Sequence, residues 1–153
     1  MANEMIVLFV LLISLLLYRA IGAMGVAALA TWAGATRYAL ATMLIFTASA
    51  HFTKMKSDLL RMMPDWIPQP MALIYFTGVC EIAGAVGLML PYFRQAAGIA
   101  LIVFFIVVFP ANVKAARSGV GMGGKRPTPL WLRASMQVLF IALTWWTAVW
   151  NHS

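Results

Sequence analysis

The stretch MALIYFTGVCEIAGAVGLMLPYF, Met71 to Phe93, carries a single charged side chain, Glu81. A helix needs roughly 20 apolar residues to cross about 30 Å of hydrocarbon, and this stretch is long enough. It is also rich in small residues, Gly78, Ala83, Gly84, Ala85 and Gly87, which let helix backbones approach closely in lipid. The segment predicts a membrane-spanning helix packed against neighbours, with one carboxyl group that must find a partner inside the bundle.

The flanking sequence repeats the pattern. Tyr38–Thr53, Gln95–Val113 and Ala134–Ser153 lack Asp, Glu, Lys and Arg altogether. Of the 153 residues, 63% are hydrophobic and 10% charged, against about 25% charged in soluble domains. Too few polar groups are available to cover a water-facing surface, and the same numbers exclude disorder. Polar and apolar residues do not alternate as in a membrane strand, and backbone polar groups in lipid need internal partners, so helices follow. The expected architecture is all-α, one membrane domain over 1–153. Its five spans lie at about 4–30, 37–54, 70–91, 95–115 and 129–151, joined by long loops at about 55–69 and 116–128.

The N-terminal span has three readings. One long tilted helix would carry Arg19 on its protein face. A shorter helix could end near Arg19 and give way to a segment broken at Gly22 and Gly25. Cleavage of a signal peptide after Ala28-Leu29-Ala30 fits the small-x-small form, but residues 1–5 carry Glu4 and no Lys or Arg. A retained first helix is the expectation.

Lys54, Lys56 and Arg61 fall in one long loop, and Lys114, Arg117, Lys125, Arg126 and Arg133 in or beside the other. Arg19, Arg37 and Arg94 fall on the opposite side. The positive-inside rule then puts both long loops and the N-terminus in the cytoplasm and the C-terminus outside. Cationic loops beside an anionic leaflet account for the net charge of +7 without nucleic acid. Trp145, Trp146, Trp150 and His152 suit an outer interfacial belt.

Several local signals punctuate the chain. Ser57 is placed to cap a short amphipathic turn through Met63. Pro64, Pro68 and Pro70 forbid a continuous helix and form an elbow, with Pro70 opening the next span. Thr128 is placed to cap the last span, and Pro110 interrupts the fourth. Gly119, Gly121 and Gly124 fit G-x-G-x-x-G literally, yet Pro127 follows and a membrane helix precedes, so no nucleotide is expected. The lone Cys80 allows no intrachain disulfide and no C-x-x-C pair, and two histidines with one cysteine make a poor metal site.

The polar residues within the spans are the candidate site. Ionisable groups in a membrane span are costly and are functional candidates by default. Glu81 lies roughly 15 Å into its span. His51 ends the second span, Asn112 follows Pro110, and Arg133 and Gln137 stand four apart on one helical face. Asp65 and Trp66 sit in the elbow on the same side. All are expected to converge on one polar pocket that binds a ligand or handles protons, with Arg19 as a further cation for Glu81. The competing reading is a hydrogen-bond network that holds helices in register.

Arg37–Ala41 (RYALA) through Ala50-His51-Phe52 resembles the first core helix of the DoxX-like membrane family. Met63–Pro70 (MPDWIPQP) resembles its proline-rich elbow, and Gly78–Leu88 (GVCEIAGAVGL) its Gly-x-x-Glu helix. Phe109-Pro110-Ala111-Asn112, and Trp131-Leu132-Arg133 with Gln137, match its later signatures. The resemblance covers about 37–150. It implies a four-helix core in the bacterial inner membrane, here with an additional N-terminal helix. Members include a subunit of a thiosulfate:quinone oxidoreductase and proteins linked to methylamine utilisation, redox defence and receptor assembly, so the fold does not transfer a reaction.

The leading expectation is an accessory or scaffold subunit binding a small apolar ligand, quinone or lipid, beside a membrane or peripheral oxidoreductase. A stand-alone enzyme performing acid–base chemistry on an apolar substrate, and an assembly chaperone without chemistry, are the alternatives. Membrane lipids are expected partners, and a homo-oligomer is compatible with the sequence.

Overall fold

The structure is a computed structural model that describes residues 2–119, 121 and 128–151. Every regular element among them is helical. Helix α1 spans Ala2–Ala23, α2 Trp32–Phe52, α3 Lys56–Met62, α4 Pro70–Met89, α5 Arg94–Ser118 and α6 Leu130–Thr144. A wider π-helical turn, Trp145–Trp150, continues α6. The segments Met5–Ala23, Pro70–Met89, Arg94–Ser118 and Leu130–Trp150 are long and apolar enough to cross a membrane.

Helix α2 has the length to span, 21 residues, but not the apolarity. Its position explains why it can be less apolar. It packs most extensively against α4 and α1 and also meets α6 and the π turn. Eleven of its residues are buried, among them Ala39, Leu40, Ala41, Met43 and Leu44 of the central core. A helix wrapped by other helices is screened from lipid by protein, so small and polar residues are tolerated on it.

The expected first span of about 4–30 is broken. Helix α1 stops at Ala23, Gly25 takes φ +107°, and a short 3₁₀ turn follows at Ala27–Leu29. Only glycine adopts that φ without strain. The chain folds back so tightly that a Cβ on Gly22 would lie 2.0 Å from the Leu29 carbonyl oxygen. Arg19 locks the turn: its Nη1 donates to the carbonyls of Leu29 (3.1 Å) and Ala30 (2.8 Å). The guanidinium also sits over the Trp32 ring, 4.9 Å from its centroid. Arg19 therefore satisfies backbone at this end of the bundle and does not reach Glu81.

Helix α2 begins earlier than expected because Thr31 caps it, accepting a hydrogen bond from the Gly34 N–H at 3.0 Å. Two other expected caps differ. Ser57 lies inside the first turn of α3 and donates to the Lys54 carbonyl, while Met55 is the cap residue. Pro129 is the cap residue of α6, and Thr128 instead offers its carbonyl to Arg133 Nε. Pro70 opens α4 as expected. The glycine-rich segment beyond Gly119, Lys125, Arg126 and His152 lie largely or wholly outside the described residues.

The helices alternate in direction. Arg19, Arg37 and Arg94 gather at one end, and Lys54, Lys56, Arg61, Lys114 and Arg117 at the other. Arg133, grouped above with the loop charges, is buried, 7% exposed. The bundle is tightest where α2 meets α4: a Cβ on Gly78 would lie 2.6 Å from His51 Cβ and 2.9 Å from the Phe52 ring. His51 Cβ is fixed by its backbone and cannot move aside alone. Gly78→Ala should therefore lower stability by about 1–3 kcal/mol through overpacking. Ala83→Val, on an exposed face of α4, should change it by less than about 0.5 kcal/mol. Denaturant-induced unfolding in mild detergent measures both.

Candidate functional site

Helix α4 starts well beyond the end of α2. Gly78 lies level with His51, so the first two turns of α4 project past Phe52. The space beneath the end of α2 is closed by α3 and the proline elbow. The result is a cavity of about 670 Å³. Its walls are Ala72, Leu73 and Phe76 of α4 and Phe104, Val107, Val108 and Ala111 of α5. Leu59, Met63, Pro64, Trp66, Ile67 and Pro68 form its cover. Gln69, also on the wall, takes φ 51° and ψ 56° between two prolines. A left-handed glutamine stores about 1–3 kcal/mol of strain, held here by the rings on either side.

Four polar side chains meet at the inner end of this cavity. Thr47 and His51 stand four apart on α2, and Thr77 and Glu81 four apart on α4, so each pair shares a face. Thr47 Oγ1 donates to Glu81 Oε2 at 2.9 Å, and His51 Nε2 lies 3.5 Å from Glu81 Oε1. His51 Nδ1 is 2.7 Å from the Ile74 carbonyl and 3.2 Å from Thr77 Oγ1, which itself donates to that carbonyl at 2.9 Å. His51 and Glu81 side chains are each 12% exposed.

The geometry constrains the protons. A carbonyl oxygen at 2.7 Å can only accept, so Nδ1 carries a hydrogen. In a neutral imidazole, Nε2 would then present a lone pair to the Glu81 carboxyl. That arrangement is repulsive unless a proton lies on one of them. A proton on either Nε2 or Oε1 would make the contact attractive, as imidazolium with carboxylate or as imidazole with carboxylic acid. Thr47 suits either. Its hydroxyl donates to a Glu81 carboxylate, or accepts from a protonated Oε2 while donating to the Leu44 carbonyl at 3.0 Å.

Asn112, Arg133 and Gln137 form a second network rather than part of the first. Arg133 Nη1 donates to Asn112 Oδ1 (3.2 Å), and Asn112 Nδ2 to Gln137 Oε1 (3.1 Å). Gln137 Nε2 donates to the Phe105 carbonyl. Pro110 has no N–H for the helix ladder, which loosens α5 where Gln137 enters. The two networks face each other across an inner cavity of about 210 Å³, lined by Thr47, Glu81, Asn112, Arg133 and Gln137 among apolar neighbours.

The candidate residues divide unevenly: His51, Trp66, Glu81 and Asn112 line the larger cavity, Glu81 and Asn112 also line the inner one, and Arg133 and Gln137 line the inner one alone. Asp65 joins neither: it is 95% exposed and pairs with Lys114, whose Nζ also donates to the Met63 carbonyl at 2.6 Å, pinning the elbow to α5. Trp66, 76% exposed, stands at the mouth of the larger cavity. Thr47 and Thr77 were not among the sequence candidates, although their four-residue spacing from His51 and Glu81 was a readable signal. The space beside Gly84 is filled by Leu101 of α5.

Deleting the carboxyl group should leave His51 and Thr47 without their partner. Glu81→Leu should cost about 1–3 kcal/mol, the penalty for orphaned buried polar groups, while Glu81→Gln, which keeps an acceptor for Thr47, should cost less. Unfolding titrations in detergent of the two variants measure the difference.

No curated protein and no solved structure matches the chain significantly. The family model of a domain of unknown function, DUF8561, matches residues 40–148. The matched span holds His51, Glu81, Asn112, Arg133 and Gln137 and leaves α1 outside. The chain belongs to the DUF8561 family.

Proposed function

We propose that this chain is a DoxX-like protein of the bacterial inner membrane. In this reading it is an accessory or scaffold subunit that binds a small apolar molecule, a quinone or a lipid, beside a partner oxidoreductase. The N-terminus and the two long loops face the cytoplasm and the C-terminus faces outward. The segregation of five basic side chains to one end of the bundle and three to the other supports this orientation.

One observation carries the ligand reading. The larger cavity is walled mainly by apolar side chains and ends on the His51–Glu81 pair. Apolar pockets with a few convergent polar groups are the usual form of small-molecule sites. Two of its wall residues, Phe76 at 63% and Val107 at 69% exposed, lie on the outer surface of the bundle. An apolar molecule could enter between them from the bilayer without passing through water. Glu81 and His51 would then hydrogen-bond its polar head, and Trp66 would close the elbow over it.

The pair also favours a second reading, an enzyme that exchanges a proton with an apolar substrate. Native mass spectrometry of protein extracted gently from its own membrane separates the readings. The ligand reading expects an adduct of quinone or lipid mass, retained in wild type and reduced at least about tenfold in Glu81→Gln, the loss expected when a charge-assisted contact of about 1.5–3 kcal/mol disappears. An adduct indifferent to Glu81, or none, overturns it. Turnover of an apolar substrate by the purified chain alone would favour the enzyme.

A further inference from the structure

Glu81 lines both cavities, and its two oxygens divide between them. Oε1 faces His51, which borders only the larger cavity, and Oε2 accepts from Thr47, which borders only the inner one. The carboxyl group thus sits where the two cavities adjoin, together with Phe104, Val108 and Asn112, between a largely apolar cleft and a smaller chamber whose far wall is polar. We infer that the inner chamber is a hydrated proton antechamber: Glu81 exchanges protons with its water, and His51 passes them to whatever occupies the larger cleft.

The chamber has what buried water requires. At about 210 Å³ it exceeds the share of several waters, each about 30 Å³ in the liquid. Thr47, Glu81, Asn112, Arg133 and Gln137 line it with polar side chains, and a water needs two to four hydrogen-bonding partners. Arg133 Nε reaches the Thr128 carbonyl at the start of α6, beside the end of the bundle where Lys114 and Arg117 lie. Both ends of this contact are buried: Thr128 is 3% and Arg133 7% exposed. Arg133 stays cationic and cannot relay a proton itself; with the two amides it orders the waters that do.

The step balances with one proton. With one proton on the pair, His51 Nε2 gives it to a basic atom of the molecule in the larger cleft, leaving neutral imidazole and carboxylate. A hydronium ion in the chamber then protonates Oε2 and becomes water, Thr47 turns its hydroxyl to the Leu44 carbonyl, and rotation of the carboxyl group brings the proton to His51 Nε2. The titratable or charged groups facing Glu81 across both cavities are His51 of α2 and Arg133 of α6; α1 contributes Val7, and α5 contributes Phe104, Phe105, Val108 and Asn112. The purpose of this route rests on the proposed ligand site, but its existence is tested without one.

The chain has two histidines, His51 and His152, so ¹⁵N-histidine labelling of a His152→Gln background in lipid nanodiscs isolates the His51 ring. The reading is the exchange rate of its N–H protons with water. Met136→Trp fills the inner chamber from α6 and should slow exchange about tenfold or more, because water access limits it. Ala111→Trp fills only the larger cleft and should leave exchange within about twofold of wild type. Phe140→Trp, on the same chamber wall, replaces Met136→Trp if that variant does not fold. Exchange that ignores the inner plug, or that slows equally with the outer one, overturns the inference. Loss of the mass-spectrometric adduct in Ala111→Trp alone bears on the ligand reading and leaves the proton route standing.

Discussion

The close crossing of α2 and α4 at His51 and Gly78 sets the rest of the structure. With no side chain on Gly78, the two backbones approach until His51 Cβ occupies the space a Cβ would take. This brings Thr47 and His51 against Thr77 and Glu81 within hydrogen-bond reach. It also fixes how far α4 projects past the end of α2, and that projection is the larger cavity. A wider crossing would separate the carboxyl group from its partners and fill the cleft with the elbow.

Polar groups in a membrane bundle are expensive alone and inexpensive in a satisfied network. The protein divides them into two such networks. His51 and Glu81 face each other, so that a charge on either has the other beside it in low dielectric. Arg133, which cannot lose its charge, is spread over the Thr128 carbonyl and the Asn112 side chain. Hydrogen bonds between membrane helices contribute about 0.6 kcal/mol on average, so these networks specify register more than they add stability. Stability comes from the packed centre around Leu40, Leu44, Leu88 and Leu101.

The same economy appears at the other end of the bundle. Tyr18 Oη and Thr42 Oγ1, 2.9 Å apart, tie α1 to α2. Arg19 holds the carbonyls of the turn between them, whose backbone would otherwise face an apolar surround without partners. Its charge, a candidate partner for Glu81 on composition alone, is used where helix α1 ends.

Hydrophobic run lengths determined the helical class, the spans around 70–91 and 95–115, and the position of Glu81 within its helix, because crossing lipid demands about 20 apolar residues whatever their neighbours are. Pro70 and the elbow were legible for a similar reason: a proline ring restricts its own backbone regardless of tertiary context. Glu81, His51, Asn112, Arg133 and Gln137 stood out in the sequence as ionisable or amide side chains within the spans, whereas the hydroxyls of Thr47 and Thr77 did not. Their partition into two networks was not legible. Whether Arg19 or His51 meets Glu81 depends on helix crossing distances, which the linear sequence does not carry, and on the Gly25 turn that shortens α1, which it offered as one of three readings of the N-terminus. The exclusion of Asp65 has the same origin, because only the folded elbow places it beside Lys114. Sequence supplied the groups that need partners; the relative depth of α2 and α4 chose them.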